Sequence, residues 1–157
     1  MSTIINATRQ TFMTPYDDAQ KALIDLLQSA TKKIRIADYS FNLEPVVQVL
    51  IDKFKSGVDV AVVLDRSQSK GKTEIPEVEQ LQQAGIPLVI GSSDKGKIMH
   101  LKVAIIDDSV VGSGSYNFTN SAELEDNFFD VEHSIERAKA FTDYWQKVHD
   151  YIQSKQK

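Results

Sequence analysis

The run Val58-Asp59-Val60-Ala61-Val62-Val63-Leu64 constrains the fold of this chain more than any other segment. It consists almost wholly of apolar, mostly β-branched residues, and the polar pair Asp65-Arg66 follows it directly. Such residues favour strands, and a continuous apolar run is typical of a strand that is covered on both faces. The run therefore predicts a central strand, and we expect helices on both sides of its sheet.

Amphipathic segments alternate with further short strands along the rest of the chain. Apolar residues recur at helical spacing over 17–30, from about 43 to 54, and over about 134 to 153. Other extended segments are predicted at 8–13, 33–41, 87–90, 98–107, 110–116 and 127–131. No internal repeat or linker interrupts this pattern. We therefore predict a single α/β domain over residues 1–157, with a mixed central β-sheet of about seven strands flanked by helices.

Composition limits the partners and the location of the protein. Its 18 lysines and arginines against 22 aspartates and glutamates give a net charge of −4, so a polyanion must bind at a local basic patch. No run reaches the roughly 18 apolar residues of a membrane span, and the start of the chain lacks a basic-then-apolar export signal. If Met1 is the native start, we expect a cytoplasmic protein. The chain has no cysteine, which excludes disulfides and thiolate metal sites.

Four polar residues at strand spacing form the most informative pattern. One residue separates His100 from Lys102, and Ser115 and Asn117 repeat this spacing farther along the chain. Side chains at i and i+2 leave the same face of a strand, about 7 Å apart. If both segments are strands, an imidazole, an ammonium, a hydroxyl and an amide can converge on one site.

These groups suit cleavage of a phosphodiester without a metal ion. A neutral imidazole can attack phosphorus, while the other three groups stabilise charge on the phosphoryl oxygens. A second imidazole, held as an imidazolium, is the natural acid for the leaving oxygen. A metal-dependent nuclease is the rival interpretation, but the chain has no H-E-x-x-H segment, and Asp107 and Asp108 should point to opposite faces of a strand. We therefore expect neither a metal nor a cofactor.

The segment from His100 to Asn117 fits the pattern H-x-K-x4-D-x6-G-S-x-N at every fixed position. This pattern resembles that of the phospholipase D superfamily, and the chain looks like the small single-motif nucleases of that superfamily, of the bacterial Nuc-like endonuclease type. Further segments that carry the resemblance are Tyr39-Ser40-Phe41, Gly57-Val58-Asp59-Val60, Gly85-Ile86-Pro87-Leu88 and Trp145. The resemblance implies a phospholipase D-like fold and hydrolysis of nucleic acid, DNA first and RNA as the alternative, through a phosphohistidine at His100.

The resemblance also implies a homodimer in which the motifs of two copies meet, one histidine acting as nucleophile and the other as acid. The number of motifs agrees with a homodimer, because the chemistry needs two imidazoles and the chain has one His-x-Lys motif. Its other histidines lack a comparable context: we place His133 at a strand end or helix start and His149 on a helix face.

Carboxylates near the motif receive supporting roles. In the family the motif's Asp is more often a structural hydrogen-bonding group than a catalyst, and Asp107 takes that role here. Family members place a glutamate before an asparagine in the next strand, where it holds the catalytic imidazole. Asp126 precedes Asn127 in this chain and is one methylene shorter, so the orienting residue is either Asp126 or Glu125.

For several side chains the sequence allows both a structural and a functional role. The loops around 66–72 and 94–97 are solvated connections or a rim that binds nucleic-acid backbone. Lys102 would be an unpaired buried charge unless it meets an anion, which a substrate phosphate can supply. Tyr39 and Phe41 are core residues or a pocket wall. The candidate rim residues are Arg66, Lys70, Lys72, Lys95 and Lys97.

Two alternative functions remain open. A phospholipase D-type lipid hydrolase would use the same chemistry, but we find no exposed apolar or amphipathic segment that faces a membrane, and we expect no stable membrane association. A catalytically silent nucleic-acid-binding module is the other alternative. Loss of a motif residue would have supported it, and none is lost.

Overall fold

The predicted extended segments form one mixed β-sheet. The computed structural model describes residues 4–5 and 8–156. In this part of the chain the sheet has eight strands in the order β1-β2-β8-β7-β6-β3-β4-β5, one more than the approximate count from sequence because of the short β1. The strands are β1 (Ile4–Ile5), β2 (Arg9–Thr14), β3 (Lys33–Asp38), β4 (Asp59–Asp65), β5 (Leu88–Gly91), β6 (Lys102–Ile106), β7 (Val110–Gly114) and β8 (Asn127–His133).

Parallel and antiparallel pairings divide the sheet. β3, β4 and β5 are parallel, whereas β6 runs antiparallel to β3, and β7, β8 and β2 continue the antiparallel part. The predicted central strand is β4, which lies between β3 and β5 and is buried from its second residue onward. The apolar run therefore predicted this strand and its burial correctly.

Helices cover both faces of the sheet. They are α1 (Ala19–Gln28), α2 (Glu44–Lys55), α3 (Arg66–Ser69), α4 (Ile75–Gln83) and α5 (Ile135–Ser154), with a 3-10 turn at Ala122–Leu124. One core contains Leu23, Leu50 and Leu81 from α1, α2 and α4. The other contains Trp145 and Ile152 from α5. The predicted α/β architecture is confirmed, with α5 alone among the long helices on the second face.

Three strands are shorter than predicted: β3 ends at Asp38 instead of at residue 41, and the other two carry the motif. β6 begins at Lys102 because the Met99 N–H donates to the Asp65 carboxylate at 2.7 Å instead of to a neighbouring strand. β7 ends at Gly114 because the N–H groups of Ser115 and Tyr116 both donate to the carbonyl oxygen of Phe128. His100 and Ser115 therefore lie just outside the sheet and not on strands.

Candidate active site

One end of the sheet gathers most of the predicted catalytic residues. β3, β4, β5 and β7 finish at this end and β6 and β8 begin there, because β6 and β8 run antiparallel to their neighbours. We call it the site end. His100 precedes β6, Ser115 and Asn117 follow β7, and Glu125 and Asp126 precede β8.

His100 and Lys102 form the centre of the site. The His100 side chain is exposed, whereas Lys102 is buried and its Nζ donates to the His100 carbonyl oxygen at 2.9 Å. The Tyr39 ring contacts both: its centroid lies 4.7 Å from the imidazole centroid, edge to face, and 5.2 Å from Lys102 Nζ. Tyr39 is therefore a wall of the site, and Phe41, which is fully buried, is a core residue.

The backbone that leads into His100 is held by a buried carboxylate. Asp65, the last residue of β4, is fully buried. Its Oδ2 accepts the Met99 N–H, and its Oδ1 accepts the Ser67 N–H, each at 2.7 Å. These bonds fix the residue before His100 although that segment lies outside the sheet. Residue spacing alone did not predict this role of Asp65.

Ser115 is held against β8. Its Oγ donates to Asn127 Oδ1 at 2.9 Å and accepts the Phe128 N–H at 3.1 Å. Asn127 Nδ2 in turn donates to Glu125 Oε2 at 3.3 Å. A Cβ atom on Gly114 would overlap the carbonyl oxygen of Phe128, so this close approach of the strands requires glycine. In the Gly-Ser part of the motif, Gly114 thus allows β7 and β8 to pack closely, and Ser115 supplies the hydroxyl.

Asn117 is tied to the loop that carries Tyr39. The Ser40 N–H donates to Asn117 Oδ1 at 3.3 Å, and the Ser40 hydroxyl donates to Glu74 Oε1 at 2.7 Å. Glu74 is buried and also accepts the Phe41 N–H. Burial raises the pKa of Glu74, against the effect of these two hydrogen bonds. Through this loop, Asn117 is linked to the ring that contacts His100 and Lys102.

A second buried carboxylate, Asp38, lies beside Lys102. Asp38 ends β3, pairs with Lys102 across the two strands, and accepts the Phe118 N–H at 2.9 Å. Burial raises the pKa of Asp38 well above its usual range, although the Phe118 N–H and the Lys102 ammonium oppose this. Burial lowers the pKa of Lys102, and Asp38 opposes that change. No ion pair within 4.0 Å joins the two side chains in the described residues, so the expectation that a substrate phosphate supplies the anionic partner of Lys102 stays a prediction.

Asp107 lies at the opposite end of the sheet from His100. Its Oδ1 accepts the N–H groups of Lys32 and Lys33, each at 2.8 Å, and its Oδ2 accepts that of Thr31 at 2.9 Å. Burial alone would raise its pKa, but these bonds hold the pKa of Asp107 below its usual value. Asp108 points elsewhere and pairs with Lys33 Nζ at 2.7 Å. Asp107 thus ties the β6–β7 turn to the segment before β3, away from the reacting groups.

The remaining predicted residues divide between the two ends of the sheet. Asp126 and Glu125 are exposed at the site end, but neither hydrogen-bonds to His100 in the described part of the chain. His133 is the last residue of β8, at the opposite end. His149 lies on α5 with its ring stacked on Trp145 at 5.0 Å. The strand-end and helix-face predictions for these histidines are confirmed, and neither reaches His100.

The basic loops lie at the site end, because they follow β4 and β5 there. The first was predicted to be a loop throughout, but it begins as the short helix α3, which Asp65 caps at its N-terminus. All the candidate rim residues are exposed. Lys95 Nζ lies 3.9 Å from the Asp94 carboxylate. The other rim residues form no ion pair within residues 8–156, so their charge is available to a bound anion. They are Arg66, Lys70, Lys72 and Lys97.

A groove of about 550 Å³ opens directly beside His100, between the segment before β6 and helix α5. Apolar and aromatic side chains dominate its walls, and Lys147 and Asp94 contribute opposite charges. The helix residues on this groove were not predicted to belong to the site, because helical periodicity does not reveal which loop a helix face meets. The groove includes Ile98, Leu101, Tyr144, Lys147, Val148 and Tyr151.

The described residues contain neither a cluster of metal-binding side chains nor a membrane-spanning helix. Across residues 4–5 and 8–156, no three histidine, aspartate or glutamate side chains are grouped so that they could hold a metal ion. In the same part of the chain, no helix combines the length and apolar character needed to cross a membrane.

Comparison with known proteins identifies the family. Residues 23–150 match the family model described as "Cardiolipin synthase, PLD-like domain". The curated "Phospholipase D" of Rickettsia bellii is 32% identical over 137 residues, which cover 86% of this chain and 66% of that protein. The chain therefore belongs to the phospholipase D superfamily. It spans roughly half to two thirds of the length of the first curated relatives it matches.

Solved structures confirm the Nuc-like architecture. The phospholipase D family member Nuc from Salmonella typhimurium matches with a TM-score of 0.84 at 30% identity, covering 91% of this chain and 94% of Nuc. NucT from Helicobacter pylori matches with a TM-score of 0.81 at 24% identity, covering 90% of this chain and 95% of NucT. The predicted phospholipase D-like fold is confirmed over nearly the whole of both proteins.

Proposed function

We propose that the chain is a metal-independent phosphodiesterase that hydrolyses nucleic acid, DNA first and RNA as the alternative, with His100 as nucleophile. One observation carries the proposal: the exposed His100 imidazole and the buried Lys102 ammonium meet the same Tyr39 ring, and Lys102 Nζ lies 2.9 Å from the His100 carbonyl oxygen. An ammonium has three donors, so Lys102 keeps N–H groups for a phosphate oxygen.

The proposed reaction has two steps. In the first, a ring nitrogen of His100 bonds to phosphorus, the bond to the leaving oxygen breaks, and an imidazolium gives that oxygen its proton. Lys102 and the Asn117 amide stabilise charge on the non-bridging oxygens, and Ser115 joins them when its hydroxyl turns from Asn127 to the phosphoryl group. In the second step the now neutral imidazole takes a proton from water, the water oxygen bonds to phosphorus, and the phosphorus–nitrogen bond breaks.

This chemistry supports a homodimer, because no other histidine of the same copy contacts His100 within the described residues. His133 lies at the opposite end and His149 on α5. Large apolar side chains are exposed at the site end, where such a patch favours contact with another protein surface. Tyr16 is 90% and Leu124 83% exposed, and Met13 and Phe128 are partly exposed beside them. A second copy docked there would bring its own His100 to the site.

The orienting carboxylate is Asp126 or Glu125. Both are exposed at the site end and free of any contact with His100 of the same chain. Glu125 is engaged with Asn127, whereas Asp126 lines a depression of about 670 Å³ together with Ser115 and Phe128. This arrangement suits a carboxylate that meets an imidazole only after two copies assemble.

The choice of nucleic acid over lipid rests on charge. The exposed cations of the two basic loops stand at the site end of a chain with a net charge of −4, where a polyanion would bind across them. Nuc and NucT match almost the full length of the chain. A lipid phosphodiester is the second candidate, favoured by the apolar groove beside His100 and by the name "Phospholipase D" of the curated relatives.

The test is hydrolysis in excess chelator by the wild type and by His100→Ala. The substrates are supercoiled plasmid, labelled single-stranded DNA and RNA, and vesicles of phosphatidylcholine with cardiolipin. The proposal predicts that a nucleic acid is cleaved, that cleavage survives the chelator, and that His100→Ala abolishes it. Cleavage of lipid alone would replace the substrate assignment, and no cleavage of any of them would favour a silent binding module.

A further inference from the structure

A buried aspartate beside the proposed phosphate-binding lysine has no place in the reaction described above. Asp38 is fully buried at the end of β3 and is the cross-strand partner of Lys102. Its Oδ2 accepts the Phe118 N–H at 2.9 Å, and its Oδ1 is buried without a hydrogen-bond partner. A carboxylate that is left partly unsatisfied in the interior is costly, so its presence requires a compensating interaction.

Lys102 provides that interaction. It is the cation that faces Asp38 from β6. Two other titratable groups interact with Asp38 electrostatically: Glu74, in the loop before α4, and Tyr116, after β7. No ion pair within 4.0 Å joins Asp38 to Lys102 in the described chain. The Lys102 ammonium instead donates to the His100 carbonyl oxygen. The attraction acts through the protein interior, where it is stronger than in water.

Asp38 also connects the two halves of the motif. It pairs with Lys102 from the His-x-Lys half and accepts the N–H of Phe118, the residue after Asn117 in the other half. The Asp38 side chain thus contacts the backbone next to Asn117 and also places a carboxyl group opposite the Lys102 ammonium.

We propose that Asp38 is a positioning residue that acts through Lys102: once ionised, its carboxylate is the internal counter-charge that holds the proton on Lys102, and its hydrogen bond holds the Asn117 segment beside it. The proposal rests on the proposed function only where it treats Lys102 as a phosphate-binding group. The charge relation between the two side chains can be measured without any substrate.

The direct test is an NMR titration of lysines labelled with carbon-13, with the Lys102 signal identified by its loss in Lys102→Arg. Asp38→Asn keeps an oxygen acceptor for the Phe118 N–H and removes the charge. Directly paired cross-strand residues have Cβ atoms about 4.5–5.5 Å apart, and an opposite charge at such a separation shifts a pKa by about one unit or more. The Lys102 midpoint should therefore fall by at least about one pH unit in Asp38→Asn. Asp59→Asn is the matched control, because Asp59 pairs with Arg35 at the opposite end of the sheet and should leave the midpoint unchanged.

Activity gives the second readout, measured with bis(p-nitrophenyl) phosphate so that it does not depend on the natural substrate. In Asp38→Asn the fall in rate that accompanies loss of the Lys102 proton should begin at lower pH than in the wild type, so that above both Lys102 midpoints the rate is about tenfold lower for a shift of one unit. Asp38→Ala should lower the rate further at neutral pH, because it also removes the acceptor for Phe118.

The proposal is overturned if Lys102 titrates at the same pH in the wild type and in Asp38→Asn, or if Asp59→Asn shifts it equally. A shift in Lys102 in a protein that hydrolyses no diester would instead overturn the proposed function and leave the charge relation standing. A lowered melting temperature in Asp38→Asn with an unmoved Lys102 midpoint would reduce Asp38 to a structural residue.

Discussion

Asp107→Asn separates a structural role of the motif aspartate from a catalytic one. Asp107 Oδ2 accepts the N–H and hydroxyl of Thr31, and Oδ1 accepts the N–H groups of Lys32 and Lys33. Asparagine keeps one oxygen for two of these donors but places an NH2 group against Thr31. It also tolerates the positive φ of 53° at this position. The substitution therefore removes charge and acceptors without straining the backbone.

The expected cost follows from the lost bonds. Hydrogen bonds to a charged acceptor contribute about 1.5–3 kcal/mol when buried, and partial exposure of Asp107 reduces this to about 1–2 kcal/mol. For a domain of this size that lowers the melting temperature by about 3–6 °C. The kcat should change less than twofold, because Asp107 lies at the opposite end of the sheet from His100.

The stability difference should also depend on pH. Because the folded-state pKa of Asp107 is lowered, its contribution is fully present above the unfolded pKa of about 3.9 and is lost as the pH falls through the folded value. Thermal unfolding at pH 7 and pH 3 should show the gap between wild type and Asp107→Asn shrinking toward pH 3. A large fall in kcat with an unchanged melting temperature would refute this account.

Three further predictions follow from the site end. Gly114→Ala should lower stability by about 1–3 kcal/mol and kcat at least tenfold, because its Cβ collides with the Phe128 carbonyl; unchanged kinetics would contradict the packing argument. Leu124→Asp should convert dimers to monomers in analytical ultracentrifugation, whereas Ile135→Asp, which is 74% exposed at the opposite end, should not; a dimeric Leu124→Asp protein would place the interface elsewhere. Lys72→Ala should reduce the slope of log Kd for DNA against log salt by about 0.9, and an equal slope would remove Lys72 from the rim.

The sequence predicted the layered architecture because that depends on local periodicity. The apolar run of β4 and the amphipathic pattern of α2 report directly on burial, and both elements lie where they were expected. The strands near the motif were predicted too long because the apolar-polar alternation continues through His100 and Ser115. Their backbones leave the sheet to bond with Asp65 and Phe128, which are distant in sequence.

The motif residues could be predicted as candidates because their spacing in the sequence is fixed. The residues that reach the site from other strands and helices were missed. Asp38 was visible as a single acidic residue that ends an apolar strand, but its relation to Lys102 depends on the pairing of β3 with β6. The groove formed with Tyr144 depends on how α5 packs beside the segment before β6. Neither the strand register nor the helix orientation follows from residue spacing alone.

The central claim is a covalent intermediate on His100, and acid-free trapping with mass spectrometry tests it most directly. The wild type is mixed with a short oligonucleotide in excess chelator, quenched at alkaline pH within one turnover, and digested. The account predicts a phosphoryl adduct on the peptide that carries His100, and no adduct in His100→Ala. Rapid hydrolysis with no adduct in the wild type, or an adduct on another residue, would contradict it.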